Sequence, residues 1–131
     1  MWTLLLSLAL AAPTRTELTF GGAFVDPACL LRGDRDPGDC PQKQLTDADF
    51  RTFAETTAAP LLPGGFLVVP AELWTAPHRG AEPTPGRAWV MIVTWTDPAV
   101  SARLDEVRSG YMTLFQQTAV PRVDIPLTAA R

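Results

Sequence analysis

The chain has 131 residues and a mass of 14.2 kDa, the size of one domain. Its 47% hydrophobic and 19% charged residues exclude a disordered tail, because that much apolar material needs a core to enter. A net charge of -3, with arginines scattered along the chain, excludes a nucleic-acid binder, which needs a basic stripe against phosphates.

The opening "MWTLLLSLALAAP" is apolar for about eleven residues, whereas a membrane-spanning helix needs roughly 20. It reads as a secretory signal with Leu4 to Leu10 as its core and Ala9-Leu10-Ala11 as the cleavage site, although no Lys or Arg precedes the core. A buried N-terminal strand is the competing reading. Removal of residues 1–11 would leave 12–131 as a single periplasmic or secreted domain without a membrane span. In an oxidising compartment Cys29 and Cys40 are expected to form a disulfide, worth about 2–3 kcal/mol for a loop of this length.

The next stretch, "RTELTF" from Arg15 to Phe20, alternates and ends at Gly21-Gly22, which predicts a first strand. Residues 29–40 then read as a stapled, solvated loop inserted in the domain. Asp34, Asp36 and Asp39 lie close enough in sequence to share a calcium ion. Against that, Pro37-Gly38 interrupts them, no Glu closes the shell, and Arg32 and Arg35 dilute the charge. Arg32-Gly33-Asp34 is an adhesion tripeptide only by a match too short to carry weight.

A first helix starts at "LTDADF", with Thr46 as N-cap, Asp49 completing a capping box, and Leu45 and Phe50 at the staple positions. Its expected stripe is Phe50, Phe53, Ala54, Thr57, Ala58 and Leu61, and Pro60 is expected to end it. A turn at Pro63-Gly64-Gly65 leads to a second strand, Phe66 to about Trp74. The Pro/Gly-rich "TAPHRGAEPTPGR" predicts a hairpin loop, and "AWVMIVTW" from Ala88 to Trp95 a central strand. Asp97-Pro98 opens a second helix with stripe Val100, Leu104, Val107, Tyr111, Leu114 and Phe115. Last, "AVPRVDIPL" alternates as a fourth strand.

This order predicts an α+β fold, a ferredoxin-like βαββαβ with a four-stranded antiparallel sheet and both helices on one face. Strands two and four belong at the edges, and the prolines agree: Pro70 lies in strand two, Pro121 and Pro126 in strand four.

The run "RTELTFG", the stretch "PLLPGGFLVV", a Trp ending strand two, and "YMTLFQQTAVPRV" together resemble a bacterial family of small exported proteins and lipoproteins, domain-of-unknown-function family number 3574. Its Pro-x-x-Pro-x-Gly turn is matched by Pro60, Pro63 and Gly65. Its aromatic helix end is matched by Tyr111, Phe115, Gln117, Val120 and Arg122. Ala88 departs from the Glu expected at the start of strand three, and the Cys29–Cys40 loop looks like an insertion. The resemblance implies no catalytic residues.

The residues themselves suggest no cofactor, metal site or catalytic group. His78 is the only histidine and sits in the hairpin loop, whereas zinc needs several ligands. Asp47 and Asp49 are explained by the helix terminus, and Asp105 and Glu106 by a solvated helix face. Strand three is apolar on both sides, although antiparallel sheets usually leave one side polar. The open face is therefore expected to carry Trp89, Met91, Val93 and Trp95, rimmed by Glu17, Thr19 and Arg122, as an interaction patch. Either the N-terminal segment or the Cys loop folds over that patch, or it predicts a non-enzymatic binding module with a small-molecule or protein partner, or a homodimer through the sheet face. The alternative is a dimeric-barrel-type enzyme acting on a hydrophobic small molecule, with Glu17 or Arg122 desolvated in the cavity.

Overall fold

The computed structural model describes residues 12–25, 27–32, 42–76 and 78–128. Residues 1–11, read above as a secretory signal, Cys40 and the three aspartates of the Cys loop lie outside them. The architecture is a mixed α/β one, with a four-stranded antiparallel sheet and two principal helical segments. The sheet is built from β1 (Thr14–Gly21), β4 (Leu67–Thr75), β5 (Thr84–Trp95) and β6 (Arg122–Pro126), in the order β4-β5-β1-β6. The edges are therefore the proline-bearing strands, where a missing N–H costs least.

Three short elements were not legible beforehand. β2 (Ala23–Val25) and β3 (Gln42–Gln44) form a separate two-stranded ladder, and α1 (Pro27–Arg32) leaves β2. Cys29 to Arg32, the described start of the expected loop, thus belong to α1. Strands of three residues are too short to show a period. Likewise β5 begins at Thr84, inside the expected loop. Residues 84–86 pair only with β4, since the chain on the other side reaches no further than Gly22, whose N–H donates to Arg87 O, so Pro85 also occupies an edge.

The helical segment after β3 begins as expected. The Thr46 hydroxyl accepts from the Asp49 N–H and the Asp49 carboxylate accepts from the Thr46 N–H, closing the capping box of α2 (Asp47–Phe53). The chain then widens into a π-helical turn, Ala54–Ala58, where Ala59 N–H donates to Ala54 O, and continues through α3 (Ala59–Leu61). Pro60 therefore lies inside the helical run instead of ending it. The wider turn moves its ring away from the carbonyl that an α-helix would drive it into. The extra residue also shifts the buried stripe: after Phe50 and Phe53 it passes to Ala58 and Leu62, leaving Leu61 only half-buried.

α4 (Pro98–Leu114) starts at Asp97, whose carboxylate accepts from Ala99 N–H at 2.9 Å. It buries Leu104, Val107 and Tyr111, while Leu114, expected in the stripe, faces water. The helices cover one side of the sheet. Phe20 is ringed by Phe50, Phe53 and Tyr111 with centroids 5.3, 5.7 and 4.7 Å away, and Phe50 stacks on Trp89. The register places Leu18 opposite Met91 and Phe20 opposite Trp89, so β1 and β5 send these four side chains into the same core.

Candidate functional site

The open-face expectation is corrected in its residues. Trp89, Met91 and Val93 are 3%, 0% and 4% exposed and lie beneath the helices. Trp95 is on the same side, half-buried, its indole N–H donating to Thr16 Oγ1 at 2.8 Å. Arg122 is also on the helix side. Its guanidinium donates to Ser101 O, Ser101 Oγ, Asp105 and Asp124 at 2.8–3.1 Å. The reason is the pairing with β1, whose apolar side Leu18 and Phe20 selects the core face for the residues alongside. Arg122 is drawn to the same side because β6 runs at the sheet edge beside the polar flank of α4.

Glu17 and Thr19 do stand on the open face, and so does Arg15. Arg15 pairs with Glu17 at 3.0 Å, and its Nε is buried without an acceptor among the described residues. The rows across the sheet follow from register. Val123, Glu17, Ile92 and Leu67 lie in one row, and Ile125, Arg15 and Thr94 in another. Val90 and Val69 pair in a third. Leu67 is 66% exposed, Val123 53% and Val69 44%, with Leu73 and Ile125 close behind. One central strand is polar and its neighbours are aliphatic, which is not how an antiparallel sheet meets water. The alternation of Val123 and Ile125 was the available signal for this patch, but their facing depended on register.

Glu17 and Arg122 lie on opposite sides of the sheet, so no one cavity holds both. What surrounds Arg122 is a structural lattice. Thr16, fully buried, donates to Asp124 at 2.6 Å, and Arg108 donates to Asp105 and to Val120 O. The Thr16 hydroxyl, then Arg122, hold the Asp124 carboxyl below its ordinary range, while Arg108 and Arg122 do the same for Asp105. For Arg122 itself, burial works to lower the pKa, but Asp124 and Asp105 outweigh it and the net direction is upward. At the other end of the sheet, Asp47 accepts from Arg87 and from the Trp89 indole, which also lowers its pKa.

The remaining sequence features fall as follows. His78 is exposed in the hairpin turn, with Nδ1 3.1 Å from Arg79 O. Cys29 is buried. Among the described residues no group of three His, Cys, Asp or Glu is placed to hold a metal, and no helix is long and apolar enough to cross a membrane.

The residues "YMTLFQQTAVPRV" join α4 to the sheet. Tyr111 donates to Gly21 O at 2.5 Å, Phe115 packs on Tyr111 and Phe53, Gln117 donates to Ala23 O at 2.8 Å, and Val120 is fully buried. Burial pushes the Tyr111 phenol above its ordinary pKa, so it stays protonated as a donor. The family described as "Protein of unknown function (DUF3574)" matches residues 29–130, which includes all of these positions. The chain belongs to that family. Among curated proteins none matches it. Tyr111, Phe115, Gln117, Val120 and Arg122, on which the resemblance rested, thus have packing and hydrogen-bonding roles, and none of them lies on the uncovered sheet face.

Proposed function

We propose that this DUF3574 domain is an exported, self-associating module whose open sheet face closes against a second copy of the chain. The observation that carries the reading is the uncovered aliphatic face, with Leu67, Val69, Leu73, Val123 and Ile125 exposed around a central Arg15–Glu17 pair. A two-fold axis through β1 would set Arg15 of one copy against Glu17 of the other, so the charges are self-complementary. Pro70 and Pro126 close the sheet edges to strand addition, leaving the face as the contact surface. The strand order, with proline-bearing strands outside, supports a ferredoxin-like arrangement. The apolar residues 1–11 support export to the periplasm or beyond, where Cys29 would pair with Cys40.

The test begins with the full chain expressed in bacteria and recovered from the exported fraction. Mass spectrometry is expected to show a chain starting at Ala12 with no free thiol. Light scattering at several concentrations should then give twice the chain mass, reverting to a monomer for Leu67→Ser combined with Val123→Ser. A strict monomer at every concentration would overturn self-association, and an uncleaved N-terminus would overturn export.

A further inference from the structure

A second surface is independent of self-association. Between the Pro63–Gly65 turn and the first two turns of α4 lies a hollow of about 210 Å³. Leu62, Val93, Trp95 and Val100 make its body, and Arg103 stands in its lining. The turn is closed by Gly65 N–H donating to Leu62 O at 3.0 Å, and Gly65 takes φ +99°, a conformation that only glycine adopts without strain. The wall is therefore held in place without a ligand.

The polar groups at this hollow differ in their freedom. The Trp95 indole N–H is committed to Thr16, so the ring offers only carbon. Asp97 accepts from the Ala99 amide as the helix cap. Arg15, Arg51, Arg87, Arg108 and Arg122 each pair with a carboxylate, whereas Arg103 has no hydrogen bond or ion pair among the described residues. An unpaired guanidinium beside an apolar hollow, near the positive end of α4, matches a carboxylate with a short apolar tail.

We propose that this hollow binds a small aliphatic carboxylate, with its chain against Leu62, Val93, Trp95 and Val100 and its carboxylate on Arg103. At about 210 Å³ the hollow is small enough to take only a short chain, which makes hexanoate a suitable length to try.

Hexanoate is the probe, titrated against the exported full-chain product by saturation-transfer NMR, with hexylamine and hexanol as partners of equal length. Saturable hexanoate binding in about the millimolar range is expected, with hexylamine much weaker. Arg103→Ala should weaken hexanoate about five- to tenfold, and Arg103→Lys should recover part of the loss. Arg103 is exposed, so its truncation leaves the core intact, and Val100→Trp should block the hollow outright. Absence of saturable binding, equal binding of hexylamine, or an Arg103→Ala variant that binds as the parent does would each overturn the proposal.

Discussion

The two faces of β5 carry similar aliphatic side chains and meet opposite surroundings. Met91 and Val93 are sealed under α2 and α4, while Val90 and Ile92, one residue along, look out from a sheet with no helix above it. What separates them is what β1 places alongside: Leu18 and Phe20 on the covered side, Arg15, Glu17 and Thr19 on the other. Burial of large apolar groups on the first side is the main stabilising term of the domain. Apolar groups on the second side contribute little until something covers them. The comparison predicts that the same kind of substitution will act on folding on one face and on association on the other.

Truncation at the centre of the covered face should have the largest effect. Phe20→Ala removes the ring shared by Phe50, Phe53 and Tyr111 and should cost about 3–5 kcal/mol in urea unfolding followed by tryptophan fluorescence. Leu67→Ser and Val123→Ser, on the open face, should each move monomer stability by no more than about 0.5 kcal/mol while removing the dimer. A Phe20→Ala variant as stable as its parent, or an open-face pair that unfolds the monomer, would break the comparison.

A smaller effect is expected where the covered face is polar. Thr16 is fully buried, accepting from the Trp95 indole and donating to Asp124. Thr16→Val keeps the shape, leaves the Trp95 indole N–H without its acceptor and leaves Asp124 with Arg122 alone, and should cost about 1–3 kcal/mol by the same measurement.

Acid should expose the same lattice. Asp47, Asp105 and Asp124 all have carboxyls held below their ordinary values, so the unfolded chain binds protons more readily than the folded one. Their stabilisation is complete above about pH 4 and is lost as pH falls through the lowered folded values. The urea midpoint should therefore drop below that pH, and Asp124→Asn should reduce the slope.

How much of this was readable beforehand depends on whether local or long-range pairing decides it. Thr46, Asp49, Asp97 and Pro98 act on their own neighbours, and the helix starts followed from them. Pro70 and Pro126 limited their strands to the edges, and those strands are at the edges. The facing of Trp89 and Arg122 was not local. A one-residue slip between β1 and β5 exchanges the two sides of a strand, and an apolar period on both sides cannot report which slip occurs. The π-helical turn was hidden for a related reason, since Ala54–Ala58 is ordinary helical sequence and only Pro60 hints at a change of winding. The hollow beside Arg103 joins a turn to a helix more than thirty residues later, and nothing in either segment announces the other.

The smallest expected effect also tests the covered face. Gly110 lies within α4, where glycine loses up to about 1 kcal/mol of helix propensity relative to alanine. A Cβ at that position would sit 3.1 Å from Thr57 Cγ2, so the glycine lets α4 approach the π-helical turn closely. Gly110→Ala sets these two terms against each other, and the net change in unfolding free energy should stay within about 0.5 kcal/mol. Gly110→Leu adds bulk that a modest shift of Thr57 cannot accommodate, and should cost about 1–3 kcal/mol. Pairing it with Thr57→Ser, which removes the crowded methyl, should return part of that loss if the approach of α4 is what the glycine serves. If Gly110→Leu alone is neutral, α4 packs more loosely than its buried residues imply, and the distinction between the two faces weakens at this end of the helix.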